Sequence, residues 1–186
     1  RLLRADEIDC RISMVNQYGV GLLLYKDARC DMNILDETVG AMNWQREHSR
    51  ENANCTVSLW DAEKEQWISK EDTGTESFTE REKGLASDSF KRACFNWGIG
   101  RELYTAPDMF VYPKSLKKFG QDEYKKWYCR DRFTVKEIEY KDRSIVRVLI
   151  FDETSKEYIT FGAPVEDVKK TEEVKAETIG ETRAKV

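Results

Sequence analysis

The chain has 186 residues, of which 40% are hydrophobic and 35% are charged, and its formal net charge is −4. This length allows one folded domain or one domain with an appendage, and no apolar run is long enough to span a membrane. The single histidine, His48, excludes a histidine-rich metal centre. Five cysteines without paired spacing favour reduced thiols in a cytoplasmic protein over a disulfide framework or a zinc site.

Charged residues are unevenly distributed along the chain. Residues 1–78 carry 9 basic and 15 acidic side chains, residues 79–136 carry 13 and 8, and residues 137–186 carry 9 and 12. A basic middle segment therefore lies between two acidic flanks. Such a segment can form a local basic surface on an acidic protein, so the overall charge does not exclude a nucleic-acid partner.

The first part of the chain predicts two strands, a helix and a meander. Alternating apolar residues from Ile8 to Met14 predict a half-buried strand, and the apolar run 20–25 predicts a second, more deeply buried one. A helix follows, because Asp27 is a good N-cap and apolar residues recur at helical spacing until Gly40. Three short strands are then predicted at 44–49, 55–60 and 66–70.

A long helix is predicted within residues 79–104. Ala86, Phe90, Ala93 and Trp97 recur at helical spacing, which predicts one buried face. The residues at 79 and 82, a threonine and a glutamate, have the spacing of a capping box. A Gly-Ile-Gly sequence at 98–100 is typical of a helix C-terminus, because glycine adopts the left-handed conformation without a steric clash.

Several cations lie on or near the predicted helices. Lys91 and Arg92 are adjacent, about 100° apart around the long helix, and lie away from its apolar face. They either complement the helix dipole or form a binding surface. Lys83 and Arg101 are further cations of the same stretch. Arg29 lies in the first turn of the preceding helix, where the dipole gives a cation no benefit, and this suggests another use.

Basic and aromatic residues are interleaved between residues 104 and 132. Cations suit phosphates and ring faces suit bases, so this mixture is typical of a surface for a single strand. The alternative is an amphipathic helix over 116–128 whose aromatic side chains belong to the core. The interleaved residues are Lys114, Lys117, Lys118, Lys125, Lys126, Arg130 and Arg132 with Tyr112, Phe119, Tyr124, Trp127 and Tyr128.

The element order predicts an α+β fold. A β-β-α-β-β-β-α core places a long helix across a curved antiparallel sheet, and a second β-meander follows at 133–140, 145–151 and 157–161. We expect three segments: a core at 1–104, a basic and aromatic segment with the meander at 105–164 that packs on or extends the core, and a disordered charged tail at 165–186.

Sequence patterns for covalent chemistry are weak. The Gly-Ile-Gly sequence is followed by Arg-Glu rather than by Lys and Ser or Thr, so a phosphate loop and ATP-driven strand exchange are not expected. No serine or cysteine has a recognisable histidine partner. Asp108, followed some thirty residues later by Glu139 and Lys141, resembles a metal-dependent nuclease signature in which two acids hold Mg²⁺. Such strings recur by chance in a sequence with 35% charged residues.

Three ordered motifs resemble one family. The sequence Asp-Ser-Phe-Lys-Arg-Ala at 88–93, closed by Trp97-Gly98, resembles the signature helix of the Rad fifty-two/Rad twenty-two superfamily of single-strand annealing proteins, whose phage members are recombination proteins. Glu-Asp-Thr-Gly at 71–74 resembles the strand end before that helix. Residues 29–35 with Val39-Gly40 and Asn43-Trp44 resemble the arginine-led helix of the family. The resemblance covers about residues 5–104.

The resemblance implies an ATP-independent protein that forms oligomeric rings or arcs and holds single-stranded DNA in a basic groove. Lys91 and Arg92 match the paired cations of that groove. Arg29 matches a phosphate-contacting arginine, with a one-residue insertion before Gly40. Phe95 stands where the eukaryotic proteins have a further arginine. Residues 105–164 have no counterpart in the eukaryotic annealing domain, and this segment would add Lys117, Lys118 and Trp127 to the binding surface.

We therefore expect a phage-type annealing protein, without enzymatic activity, in the cytoplasm of a bacterial host cell. Its expected partners are single-stranded DNA, further copies of the chain, and a single-strand-binding protein or exonuclease; no membrane, cofactor or metal is expected. Two alternatives are a nuclease that uses Asp108, Glu139 and Lys141, and an adaptor whose cations contact acidic proteins. The expected DNA-binding residues are Lys91, Arg92, Arg29, Lys83, Arg101, Lys117 and Lys118.

Overall fold

The computed structural model describes residues 1–75 and 81–163, with residues 81–83 described by their backbone only. These residues have a mixed α+β fold with two α-helices and eleven strands in four antiparallel sheets, which confirms the predicted fold class. No helix in this part of the chain is long and apolar enough to cross a membrane. The predicted tail at 165–186 and the capping box at 79 and 82 lie outside the described residues and side chains.

The predicted β-β-α-β-β-β-α order and the C-terminal meander are confirmed, and three further short strands, which were not predicted, lie between them. In chain order the elements are β1 (Asp9–Asn16), β2 (Gly19–Tyr25), α1 (Ala28–Val39), β3 (Trp44–Ser49), β4 (Asn54–Asp61), β5 (Gln66–Thr73), α2 (Arg81–Asn96), β6 (Phe110–Val111), β7 (Phe119–Gln121), β8 (Trp127–Cys129), β9 (Phe133–Lys141), β10 (Ser144–Asp152) and β11 (Glu157–Gly162).

The chain divides into two compact units, of which the first comprises residues 1–3 and 26–101. In this unit the meander β3-β4-β5 forms one sheet, and α2 packs on β4 and β5. Two alternate residues of β4, Cys55 and Val57, are fully buried. Phe90 and Ala93 of α2, which packs on β4, are also fully buried, whereas Ala86 and Trp97 of the predicted apolar stripe are half-buried; the middle of the stripe therefore belongs to the core of this unit.

The second unit comprises residues 4–25 and the chain from residue 102 onward. It contains the sheets β1-β2-β6 and β9-β10-β11 and the hairpin β7-β8. The first two strands therefore pair with β6 and belong to a different sheet from β3-β4-β5. The predicted C-terminal meander is present, and Val148 and Ile150 of its central strand are fully buried.

Two sequence interpretations are wrong in the second unit. Met14 was expected to face inward, but a β-bulge between Ile12 and Met14 shifts the alternation and leaves Met14 49% exposed. The helix considered for 116–128 is a hairpin. Its turn is stabilised by Asp122, whose Oδ1 accepts the N–H groups of Tyr124 and Lys126, while Lys125 adopts φ +59°.

Candidate functional site

Helix α2 is anchored to the sheet by Phe90. The Phe90 ring stacks on Trp44 with the ring centroids 6.1 Å apart, and the guanidinium of Arg46 lies 4.8 Å from the Phe90 centroid. Trp97, just beyond the helix, is half-buried rather than core; its indole N–H donates to the carbonyl oxygen of Val57 at 3.1 Å. These contacts fix the rotation of α2 and therefore the direction of its cations.

Arg92 is exposed on α2 and is bound to a carboxylate one turn earlier. Its Nε–H donates to Oδ2 of Asp88 at 2.9 Å, and the same oxygen accepts the backbone N–H and the hydroxyl of Thr75. Although burial raises the pKa of Asp88, the hydrogen bonds from Thr75 and Arg92 hold it below its usual value. Asp88 therefore orients Arg92 and offsets part of its charge.

Lys91 is half-buried and interacts with a buried ion pair that the sequence analysis missed. Nζ of Lys26 lies 2.5 Å from each carboxylate oxygen of Asp31, and these side chains are 7% and 0% exposed. Burial raises the pKa of Asp31 to about 6, against the opposing positive charges of Lys26 and Lys91. The only sequence signal was a carboxylate on the apolar face of α1, beside the buried Cys30.

Arg29 is exposed in the first turn of α1, where the sequence predicted it, and has a local partner. Oδ1 of Asp27 caps the helix by accepting the N–H groups of Arg29 and Cys30. Oδ2 of Asp27 accepts from Nε and Nη2 of Arg29 at 2.9 and 2.6 Å. The side-chain hydrogen bonds from Arg29 are the main cause of the lowered pKa of Asp27. The carboxylate of Asp27 thus offsets the unfavourable interaction of the Arg29 cation with the helix dipole.

Arg101 closes the C-terminus of α2. Its Nε and Nη2 donate to the carbonyl oxygens of Phe95 and Asn96 at 2.8 and 2.9 Å, so it satisfies two helix-end acceptors. Arg101 is nevertheless exposed. Lys83, the remaining predicted cation of this stretch, has a side chain outside the described part of the chain.

The second unit holds the other two predicted site residues. Lys117 and Lys118 are exposed, and their backbone N–H groups donate to the two carboxylate oxygens of Asp131 at 2.8 Å each. Asp131 is buried. Both of its oxygens bind the main chain, so Asp131 fixes the backbone of the two lysines.

Seven cations of residues 112–132, which we call the basic segment, are exposed. None of them forms an ion pair within residues 1–75 and 81–163. They contrast with Arg29 and Arg92 of the first unit, which are bound to carboxylates. The seven are Lys114, Lys117, Lys118, Lys125, Lys126, Arg130 and Arg132.

The β7-β8 hairpin organises part of the basic segment. Phe119 and Trp127 stack on one face with their ring centroids 5.1 Å apart, and both are half-buried. Tyr128 lies on the other face, with the guanidinium of Arg130 5.2 Å from its ring centroid. The exposed and half-buried residues alternate from 126 to 130. This period of two was the sequence signal for a strand, and the dense charge obscured it.

The part of the chain that the structure describes contains no cluster of metal-binding side chains of the kind that the nuclease pattern requires. Glu139 on β9 accepts a hydrogen bond from Arg147 of β10, and this arginine competes with a cation for the carboxylate. Asp108 is exposed and Lys141 is half-buried. Within the described residues, no group of three or more His, Cys, Asp and Glu side chains could hold a metal ion.

A serine and the single histidine lie close together in the first unit. Oγ of Ser89 is 3.4 Å from Nδ1 of His48 and donates to the carbonyl oxygen of Asn52 at 2.9 Å. Ser89 is fully buried, and burial lowers the pKa of His48. The hydroxyl therefore joins α2 to the β3-β4 turn rather than facing a substrate.

Comparison with protein-family models, with curated proteins and with solved structures finds no match to this chain.

Proposed function

We propose that this protein binds single-stranded DNA and anneals complementary strands without ATP, as a phage-type recombination protein in a bacterial cytoplasm. The observation that carries the proposal is the exposure of the seven cations of the basic segment, none of which is ion-paired within the described residues. Exposed cations that form no internal ion pair can neutralise phosphates and release counterions.

A second group of cations that supports the proposal lies in the first unit. Lys91 and Arg92 lie side by side on α2, whose rotation is fixed by the buried ring of Phe90. Arg92 remains 45% exposed in its side chain despite its bond to Asp88. Lys91 is half-buried, so Arg92 is the more accessible of the two cations; contacts of such cations with a strand's backbone carry no sequence information.

Annealing follows from the chemistry of these contacts. Two complementary strands repel each other through their phosphates, so neutralising one backbone lowers the barrier to pairing. Contacts to phosphates leave the base edges available for the complementary strand. Neither step needs a covalent bond, a nucleotide or a metal ion. Further copies of the chain, arranged as a ring or arc, would extend the length of DNA that is bound. A single-strand-binding protein or an exonuclease would be a further partner.

The test is fluorescence anisotropy with a single-stranded oligonucleotide at several salt concentrations, together with an annealing assay on two complementary fluorescent strands. We expect log affinity to fall linearly with log salt, by about −0.7 per phosphate neutralised. Lys117→Ala/Lys118→Ala and Lys91→Ala/Arg92→Ala should each flatten this slope by about 1.4. The matched control is Arg50→Ala/Lys64→Ala, which removes the same charge from exposed turns of the first unit and should leave the slope unchanged.

The same material separates the alternatives. Absence of binding at low salt would refute the proposal and favour an adaptor for acidic proteins. Shortened strands after incubation with Mg²⁺ would favour the nuclease of Asp108, Glu139 and Lys141. Binding without accelerated annealing would leave a single-strand binder and refute the annealing step.

A further inference from the structure

One face of the β7-β8 hairpin holds a tyrosine ring over a glycine. Gly120 lies directly opposite Tyr128 in the strand register. The position that a Cβ would take at Gly120 is 3.5 Å from Oη, 3.7 Å from Cζ and 3.9 Å from Cε1 of Tyr128. The ring therefore extends across the glycine, and the cross-strand position opposite it carries no side chain. Tyr128 keeps 37% of its surface exposed.

The two faces of this hairpin have different roles. Phe119 and Trp127 stack on each other on the half-buried face, and β8 contacts β1 of the same unit. Tyr128 is on the opposite, exposed face because successive residues of a strand point to opposite sides. Tyr128 is therefore an aromatic ring that the hairpin exposes on its other face, in addition to Tyr124 in the turn, which is 82% exposed.

Three cations share the exposed face with Tyr128. Side chains of a strand alternate between its two sides, and every second residue from Tyr128 points to the same side, which places Lys126 and Arg130 beside it. Lys118 lies opposite Arg130 on the neighbouring strand, because the N–H of Arg130 donates to the carbonyl oxygen of Lys118 at 3.0 Å. All three are exposed and form no ion pair within the described residues. The Arg130 guanidinium, 5.2 Å from the ring centroid, shows that a planar cation can approach the ring.

Two exposed carboxylates, Asp122 and Glu123, lie in the turn of this hairpin. Oδ1 of Asp122 accepts the N–H groups of Tyr124 and Lys126 in the turn. Both oxygens of Asp131 accept main-chain N–H groups. Asp131 is buried, in contrast to the exposed Asp122 and Glu123. The three exposed cations near Tyr128, namely Lys118, Lys126 and Arg130, therefore outnumber the two exposed carboxylates of the hairpin turn.

We propose that this face, the Tyr128 platform, binds an unpaired nucleobase of single-stranded DNA. The base replaces the Arg130 guanidinium on the Tyr128 ring, and Lys118, Lys126 and the displaced Arg130 bind the phosphates on either side of it. An exposed ring among cations matches the two halves of a nucleotide, one flat and apolar and one anionic. A base inside a duplex offers no free face, so the platform favours single strands. This inference rests on the proposed function and adds its means of selecting unpaired bases.

The experiment compares two ligands that carry the same phosphates. The full chain is titrated with an oligothymidylate of about 20 nucleotides and with an abasic strand of equal length, at one salt concentration. We expect the base-containing strand to bind about tenfold more tightly. Tyr128→Val, which keeps a strand-forming residue, should abolish this preference without changing the salt slope. Tyr128→Phe should retain the preference, because stacking does not need the hydroxyl group.

Two further variants keep the test informative. Tyr18→Leu removes an exposed tyrosine from the β1-β2 turn of the same unit and should change neither ligand's affinity. Lys118→Ala/Lys126→Ala leaves the ring in place; it should keep the preference for bases and flatten the salt slope by about 1.4. Thermal melts monitored by circular dichroism verify that each variant is folded.

The outcomes separate this inference from the proposed function. If the native chain binds neither strand, the proposed function fails. If it binds both strands equally, or if folded Tyr128→Val keeps the preference, single-strand binding stands and the Tyr128 platform is refuted. If polyglutamate displaces the oligothymidylate and its own binding depends on Tyr128, the platform is a site for acidic protein segments and the inference is overturned.

Discussion

Arg92 donates its Nε–H to Oδ2 of Asp88 at 2.9 Å, across one turn of α2. The carboxylate has two functions, because it also accepts the N–H and hydroxyl of Thr75 ahead of the helix. A phosphate that binds Arg92 therefore competes with an internal anion. The strength of the DNA contact depends on this competition as well as on the cation itself.

We predict that Asp88→Asn tightens single-stranded DNA binding by about twofold. An exposed ion pair at this helical spacing stabilises the chain by about 0.3–0.5 kcal/mol. Without the charge of Asp88, a phosphate can bind Arg92 without first breaking this ion pair. The asparagine oxygen can still accept from Thr75, so the local fold should persist. Anisotropy titrations at low salt measure the change. In Asp88→Asn/Arg92→Ala the gain should vanish, and a gain that survives there would show that Asp88 acts by another route.

We predict that Phe90→Ala lowers the free energy of unfolding more than Trp97→Ala does, although the helical spacing of the two residues predicted equal burial. Phe90 is fully buried, so its truncation should lower the free energy of unfolding by about 3–5 kcal/mol. Trp97 is half-buried and makes one hydrogen bond, to Val57, so about 2 kcal/mol is expected. Urea denaturation of both variants measures the difference. Equal costs would contradict the partial exposure of Trp97.

This pair illustrates what the sequence could predict. Helical spacing correctly predicted that Phe90 lies on the buried face of α2, because the periodicity of apolar residues reflects which face is buried, and it extended the same face to Trp97. The helix ends at Asn96, however, and the depth of burial at a helix end depends on the sheet strands beneath it. Depth is a tertiary property that spacing alone does not contain.

In the candidate site, too, local features could be predicted from the sequence, whereas features that depend on tertiary packing could not. Capping of α1 by Asp27 was predictable from a local rule, but the pairing of Arg29 with the same carboxylate depends on rotamers. The buried pair of Lys26 and Asp31 was missed because burial of a charge is visible only after the helices pack. The hairpin at Gly120 was obscured because aromatic and basic residues at 116–128 fit a helical face as well as a strand.

We predict that Gly100→Ala destabilises the chain more than Gly98→Ala. Both glycines have positive φ, +77° and +95°, so each alanine costs about 1–2 kcal/mol in backbone strain. At Gly98 a Cβ would meet nothing within 4 Å, whereas at Gly100 it would lie 2.3 Å from Cε of Lys26. That lysine is held in a buried ion pair and cannot move away without exposing Asp31 to an unpaired state.

Urea denaturation of the two glycine variants measures this difference, because Gly98→Ala carries the backbone term alone. The excess cost of Gly100→Ala should be about 1–3 kcal/mol. It should shrink in the background of Lys26→Met/Asp31→Leu, where the ion pair is replaced by apolar groups that can adjust. Equal destabilisation by the two alanines would show that Lys26 is not packed against Gly100.

We predict a pH-dependent stability contribution from Asp31. Its pKa is raised from 3.8 to about 6 in the folded chain, chiefly by burial. A carboxyl group with a raised folded pKa binds its proton more tightly in the folded state than in the unfolded state. Its stabilisation is therefore fully present below a pH of about 4 and is lost as the pH rises through about 6. A pKa difference of this size corresponds to about 3 kcal/mol.

The measurement is the free energy of unfolding of the native chain minus that of Asp31→Asn, from urea denaturation at a series of pH values. This difference should fall by about 3 kcal/mol between pH values of about 4 and 7, because asparagine does not titrate. Asp27→Asn is the matched control with the opposite sign: the pKa of Asp27 is lowered, so its stabilisation is present at neutral pH and is lost on acidification. A difference for Asp31 that is constant with pH would show that the buried pair stays ionised throughout.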